Sequence, residues 1–206
     1  MVITISRQYL AGAGPVAEQV ANALGWNVLD DGFIEAVAER SGFSMEDVRS
    51  LEERVPSFME RFAQSSALSF PEFLLSTPSA IEEPEAVRLA HITRDIIEDI
   101  GQRTRTVMVG RAAAAVLASE RDAIHVRLVA SREHRIRAAM VKHSVSEHEA
   151  ASIVDERDTN RERYHEEMYG RDWNDPVNYH MVLNTETLGV DAAANLVIAQ
   201  AHALGW

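Results

Sequence analysis

Apolar positions follow two different periods along the chain, and the change from one period to the other predicts the elements. The run Val2 to Ile5 is continuous and β-branched, as in a buried strand, and Val16, Val20 and Leu24 then recur at helical spacing. A loop containing glycines separates the two segments. The order strand, glycine loop, helix is a common arrangement for holding a phosphate, because the unpaired N–H groups and the positive end of the helix dipole point to one place.

The same change of period recurs along the chain. Apolar runs predict further strands near residues 26–29, 106–109, 123–129 and 179–183. Helical spacing predicts helices from Phe33 to Arg40, from about Ser44, from Glu85 to Gly101, after Gly110-Arg111, from Ser131 to Lys142, from Ser146 to Met168 and from Asp191 to Ala203. We therefore predict an α/β fold, with a parallel five-stranded sheet and helices on both faces.

The segment Val55 to Pro84 differs from the rest in composition. It contains four of the six prolines and four of the six phenylalanines. Such a segment is typical of a lid, an acceptor-binding flap or a contact between copies in a homo-oligomer, whereas the alternative is a satellite hydrophobic cluster. We predict one domain over residues 1–206, with a core of 1–43 and 85–206, an inserted acceptor or lid region at 44–84 and a lid helix at about 146–170.

Composition limits the classes of partner. The chain has 46% hydrophobic and 25% charged residues, a formal net charge of −12 and no cysteine. The negative charge argues against a general binder of nucleic acid or anionic membranes, so any phosphate site must be local. The absence of cysteine and of a long apolar run fits a soluble, cytoplasmic protein.

The glycine loop matches the phosphate-loop signature G-x-x-x-x-G-K-[ST] only in part. Arg7 stands at the first glycine, Gly12 at the second and Ala13 at the lysine; Gly14 and Pro15 follow, so the hydroxyl is also missing. Two interpretations stay open: a phosphate site, or a tight turn between a strand and a helix. Asp30 and Asp31, at the end of the second predicted strand, suit a metal ion or a ligand hydroxyl.

The helix predicted from Ser146 carries charges that the 100° rotation per residue sorts by sign. One face holds Asp155, Asp158, Glu162 and Glu166, and the opposite face holds Arg157, Arg161, Tyr164 and Met168. Like charges four residues apart cost about 0.2 to 0.5 kcal/mol when nothing balances them. An incoming phosphate is the preferred explanation, and pairing with neighbouring carboxylates is the alternative.

Two other groups of polar residues are informative. Arg111 follows the strand at 106–109 and a glycine, so it is predicted at the carboxyl edge of the sheet, where ligands of open α/β sheets gather. The eight histidines are scattered without a convincing pair of metal ligands, and His91 and His125 are predicted to be structural. No protein metal site is predicted.

Several segments in order carry a family resemblance: ITISRQYLAGAG with ALGWNVLDDGFI, then VMVGR, VRLVASREHRI, VDERDTNRERY, GRDWNDPVNY and MVLNTETLGV. The chain resembles the cytidylate kinase-like proteins, relatives of bacterial cytidylate kinase within the nucleoside monophosphate kinases of the P-loop superfamily. The resemblance implies a phosphate loop at residues 6 to 14, a mobile acceptor-binding region, an arginine-bearing lid at about 157–164, and the use of ATP and Mg²⁺ with a small-molecule nucleotide as acceptor.

The resemblance also suggests roles for single residues. Catalytic charge is expected from Arg7, Arg157 and Arg161. Donor binding is expected from Ala11, Gly12, Ala13, Gly14, Arg111 and Arg135. Acceptor binding is expected from Asp30, Asp31, Arg111, Asp158 and Tyr164.

The chain departs from the family pattern at positions that bear on activity. Cytidylate kinase itself has a lysine at the position of Ala13 and a threonine at that of Pro15, and its relatives commonly have a glycine at that of Leu10. Two functions therefore stay open: a phosphotransferase acting on a nucleoside monophosphate, and a catalytically inactive nucleotide- or anion-binding module on the same fold. We predict weak or absent cytidylate kinase activity.

Overall fold

The computed structural model describes residues 1–29, 31–49 and 85–206. Its sheet has the strand order β2-β3-β1-β4-β5, and every neighbouring pair is parallel. The strands are β1 (Val2–Arg7), β2 (Asn27–Leu29), β3 (Thr106–Val109), β4 (Ala123–Val129) and β5 (Met181–Asn184). The predicted parallel five-stranded α/β sheet is confirmed.

The predicted helices occur in the predicted order, and a further short helix, Thr185–Leu188, was not predicted. The helices of the described residues are α1 (Ala13–Leu24), α2 (Asp31–Ser41), α3 (Met45–Arg49), α4 (Glu85–Arg103), α5 (Ala113–Val116), α6 (Arg132–His143), α7 (Glu147–Tyr169), α8 (Thr185–Leu188) and α9 (Val190–Ala203). The helix predicted after Arg111 is only one turn long. Asp30 and most of the predicted insertion, residues 50–84, lie outside the described residues. Within the described residues, no helix has the length and apolarity needed to cross a membrane.

Hydrophobic clusters cover both faces of the sheet. On one face, Ile3 and Ile5 of β1 pack with Val16 and Val20 of α1 and Val197 of α9. On the other face, a second cluster joins β1 and β3 to α2, α4, α5 and α7. Both faces of a parallel sheet are buried, which is why its strands are continuous apolar runs in the sequence.

A third, smaller cluster joins α6 to α7. Its buried members are Ile136, Ala139, Ala150 and Val154, and the side chains of Tyr9 and Leu10 pack against it. The capping box at the start of α7 forms as predicted, with Ser146 and Glu149 each accepting a backbone N–H of the other. The α6–α7 hairpin is therefore attached to the loop that follows β1.

The segment GRDWNDP forms a turn with an aromatic anchor, as predicted. Trp173 is buried, its indole N–H donates to Ser6 Oγ over 2.9 Å, and the guanidinium carbon of Arg127 lies 4.0 Å from its ring centroid. Tyr179 donates to the Trp173 carbonyl over 2.9 Å. These contacts hold the end of β1, just before the loop, in place.

His125 is a buried side chain of β4, which fits its predicted structural role. Its Nε2 lies 3.2 Å from the Leu117 carbonyl and its Nδ1 lies 2.8 Å from Thr4 Oγ1, so the neutral ring donates to the carbonyl and accepts from the hydroxyl. Burial first, and then the neighbouring His180, lower the pKa of His125 from 6.5 to about 4. The ring is therefore neutral in the folded protein at physiological pH.

This pKa predicts a pH dependence of stability. Between pH 6.5 and pH 4 the unfolded chain binds a proton at His125 and the folded chain does not, so stability is complete above pH 6.5 and falls as the pH is lowered, by about 3 kcal/mol in all. Urea unfolding at a series of pH values measures this loss. We expect His125→Gln to remove most of the change in the free energy of unfolding with pH, and His202→Gln, at an exposed position, to leave it unchanged. An equal pH dependence in the two variants would contradict the assignment of this effect to His125.

Candidate functional site

The loop between β1 and α1 makes a tight turn at the carboxyl edge of the sheet. The Gln8 carbonyl accepts the N–H of Ala11 over 3.1 Å, and Gly12, with φ of 75°, is the N-cap of α1. No side chain caps this helix. The start of α1 therefore presents backbone N–H groups at the end of β1, as the pattern of the sequence predicts.

Leu10 holds a left-handed backbone in the same loop. Its φ is 62°, a conformation that suits glycine and that costs a residue with a side chain about 1 kcal/mol or more. Members of the family that the chain resembles commonly have a glycine at this position. The left-handed backbone explains this preference, because glycine adopts it without the cost. The Leu10 side chain packs against the α6–α7 cluster, which holds the loop in this conformation.

A cavity of about 360 Å³ lies over the loop; we refer to it as the loop cavity. Its lining consists of residues 9–15 together with Arg7, Val109, Lys142 and Arg161. Three of these side chains are cationic, and none of the described lining residues is acidic. In a chain of net charge −12, this arrangement concentrates positive potential where the sequence predicts a phosphate.

Tyr9 brings the cations of α6 and α7 together. Its ring centroid lies 5.5 Å from Lys142 Nζ, 5.7 Å from Arg157 Cζ and 5.5 Å from Arg161 Cζ. Its hydroxyl lies 2.8 Å from His143 Nε2. Arg157 and Arg161 therefore both lie near the loop, although Arg157 is not among the residues that line the cavity.

Asp158 connects the loop to both helices of the hairpin. The Tyr9 N–H donates to its Oδ1 over 2.7 Å, and Arg135 Nη1 donates to its Oδ2 over 2.5 Å. Arg161 Nη1 lies 3.5 Å from the same carboxylate. The predicted separation of charges on α7 is wrong at this point, because residues three apart are only about 60° apart around a helix.

Two other predicted site residues lie inside the protein. Arg135 is buried, and its Nε donates to the Ala130 carbonyl over 3.2 Å. Tyr164 is fully buried, with its ring against His165 and Tyr169. Neither lines the loop cavity in this structure. Their contacts, like those of Asp158, are with protein groups, and their assignment to a ligand stays a prediction.

A second cavity, of about 320 Å³, adjoins the loop cavity at the edge of β3. Gly14 and Val109 line both. The second cavity is mainly apolar and holds Arg111, whose Nη1 donates to the Val48 carbonyl over 2.6 Å. Arg111 therefore shares the lining of the second cavity with Gly14 of the loop, and its predicted contact with a bound phosphate stays a prediction.

That turn has an unusual backbone. Gly110, Arg111 and Ala112 have φ of 74°, 58° and 52°, so three successive residues are left-handed. A Cβ on Gly110 would lie 2.6 Å from Arg7 Cζ, so the Arg7 guanidinium covers the glycine. Arg7 therefore reaches from the end of β1 to the turn after β3, and it lines the loop cavity.

Sequence reasoning missed Lys142 as a site residue. A lysine in the last turn of a helix is common, since it balances the helix dipole, and nothing in the sequence distinguishes this one. Only the packing of the α6–α7 hairpin on Tyr9 and Leu10 brings Lys142 to the loop.

The sequence of the chain matches a known protein family. The model of the cytidylate kinase-like family matches residues 2–187. No curated protein matches in sequence. Among solved structures, an uncharacterized protein from Eubacterium ventriosum is similar at 17% identity, with 98% of each chain covered and a TM-score of 0.70. Shikimate kinase from Bacteroides thetaiotaomicron is similar at 12% identity, again over 98% of each chain, with a TM-score of 0.55. At these identities the structures show a shared fold.

Proposed function

Since the chain belongs to the cytidylate kinase-like family, we propose that it binds ATP in the loop cavity and transfers the γ-phosphoryl group to a nucleoside monophosphate in the second cavity. Family and fold support the coarser statement, a nucleotide-binding, kinase-like protein. The identity of donor and acceptor, and transfer itself, are our proposal. In this proposal the chain is a single domain, and residues 44–84 are its acceptor-binding insertion.

The observation that carries the proposal is the adjacency of the two cavities. They share Gly14 and Val109, and Arg7 of the loop cavity lies against Gly110, the residue after Val109. Transfer requires the attacking and leaving oxygens to be held in line on either side of one phosphorus atom. A donor in one cavity and an acceptor in the other would be neighbours, which is the first condition for such an arrangement.

Each cation has a role that follows from its position. Phosphoryl transfer depends mainly on positioning and on stabilising charge on the transferred group. We propose that Arg7 stabilises this charge, that Arg161 binds the donor phosphates and that Arg111 binds the acceptor phosphate. Arg7 and Arg161 line the loop cavity, and Arg111 lines the second cavity. An acceptor oxygen bonds to the γ-phosphorus, the bond to the bridging oxygen breaks, and ADP leaves.

The described residues do not form a protein cage for Mg²⁺, so an ion bound with ATP would be held mainly by the phosphates and by water. Pro15 has no hydroxyl, and residues 1–29, 31–49 and 85–206 contain no group of three histidine, aspartate or glutamate side chains that could hold a metal. Asp30 is outside these residues. No step of the proposal therefore depends on a protein-held metal.

The alternative is an inactive nucleotide- or anion-binding module. It is favoured by Ala13 and Pro15, which line the loop cavity but offer no charge or hydroxyl. A phosphate-loop lysine follows the charge that develops during transfer, so its loss lowers turnover more than binding. Fold alone does not distinguish the alternatives.

A transfer assay distinguishes them. ATP is incubated with CMP, UMP, AMP or GMP and ADP formation is followed, while calorimetry measures nucleotide binding by the same preparation. We expect binding with slow transfer, and a rise of about tenfold or more for the double variant Ala13→Lys, Pro15→Thr. A protein that binds but gains no transfer in that variant is the inactive module. Fast CMP phosphorylation by the unchanged protein would contradict our interpretation of Ala13.

A further inference from the structure

We infer that Lys142, at the end of α6, supplies the phosphates in the loop cavity with the charge that a lysine at position 13 would supply. The inference rests on the proposed binding of a nucleoside triphosphate in that cavity. It assigns the compensating charge to the α6–α7 hairpin instead of the loop itself. Both Lys142 and Ala13 line the cavity, so a side chain from either position reaches the same space.

The three cationic side chains of the loop cavity differ in their exposure and in the protein groups that they contact. Arg7 lies against the backbone of Gly110, and Arg161 is buried 3.5 Å from the carboxylate of Asp158. Lys142 is exposed, and among the described residues no carboxylate forms an ion pair with it. Its ammonium lies over the ring of Tyr9 at 5.5 Å, a weak contact at an exposed site that a phosphate can replace.

The hairpin fixes the position of this lysine. The neighbouring His143 lies 2.8 Å from the Tyr9 hydroxyl, and the Tyr9 N–H donates to Asp158. Tyr9 therefore joins the last turn of α6 and the middle of α7 to the loop. The charge at the phosphates depends on this attachment, which is why a loop without lysine can still hold a polyphosphate.

Calorimetric titration with ATP and with inorganic tripolyphosphate tests the inference. We expect Lys142→Met to weaken both by about tenfold and to reduce the salt dependence of binding, because one charge-assisted contact is lost. Lys142→Arg, which keeps the charge, should stay within about threefold of the unchanged protein. Arg137→Ala is the matched control, since it removes a cation that is 66% exposed on the same helix and lies 3.8 Å from Glu186.

A double variant distinguishes loss of the lysine charge from a general disturbance of the binding site. Ala13→Lys should restore affinity in the Lys142→Met background, because both lysines serve one position in the cavity. If the unchanged protein binds neither ATP nor tripolyphosphate, the proposed function fails. If it binds both and Lys142→Met binds equally well, or if Arg137→Ala weakens binding as much, the inference alone is overturned. Failure of Ala13→Lys to restore binding would overturn the equivalence of the two positions.

Discussion

Replacement of Asp158 by alanine should lower the free energy of unfolding by about 3 kcal/mol, because it leaves a buried cation without its carboxylate. The Arg135 side chain is only 7% exposed and donates to Asp158. The Tyr9 N–H loses its acceptor in the same variant. Chemical denaturation measures the loss, and calorimetry should show weaker nucleotide binding as the loop separates from α7.

The same helix provides a matched control. Asp155 pairs with Arg132 over 2.6 Å, but the two side chains are 52% and 48% exposed, so Asp155→Ala should cost at most about 1 kcal/mol. Replacing both partners of the buried pair, with Asp158→Ala and Arg135→Met, should recover part of the loss, because no charge then stays buried alone. Equal losses for Asp158→Ala and Asp155→Ala would contradict the role of Asp158 as the attachment of the loop.

Gly110→Ala should reduce phosphoryl transfer about 100-fold or, if the chain is a binding module, weaken nucleotide binding about tenfold. The new Cβ would lie 2.6 Å from Arg7 Cζ, so the guanidinium must move from its place against Gly110. The backbone at φ of 74° also opposes a side chain. Transfer and binding are measured as for the unchanged protein.

Gly25→Ala controls for the backbone effect. Gly25 has φ of 66°, and a Cβ added there would have no neighbour within 4 Å, so this variant carries the strain without displacing Arg7. We expect it to lose about 1 kcal/mol of stability and to keep nucleotide affinity. If Gly110→Ala and Gly25→Ala bind nucleotide with equal affinity, the position of Arg7 against Gly110 does not contribute to nucleotide binding.

The sequence predicted the fold well because its signals are local. Continuous β-branched runs and helical spacing determine β1, α1 and the order of the remaining elements, and the capping box marks the start of α7. The last strand begins at Met181, two residues after its predicted start, because Pro176–Asn178 forms a 3₁₀ turn that spacing does not reveal.

The site was predictable only where its residues belong to one element or one loop. Residues 11–14 follow from the strand, loop and helix pattern, Arg161 follows from the helix face, and the family resemblance indicates Arg7. Lys142 and the pairing of Asp158 with Arg135 depend on contacts between elements distant in sequence. The left-handed turn at Arg111, which directs this side chain to the second cavity, has no signal beyond the glycine before it.

We propose that phosphates bind over the loop, where the cavity is lined by cations of β1, α6 and α7. A crystal structure with a non-hydrolysable ATP analogue and CMP tests this most directly. We expect the triphosphate in the loop cavity, in hydrogen-bond contact with backbone N–H groups of residues 12–14 and with Arg7, Arg161 and Lys142, and CMP beside Arg111 in the second cavity. A triphosphate bound elsewhere, with the loop cavity empty of phosphate, would contradict it.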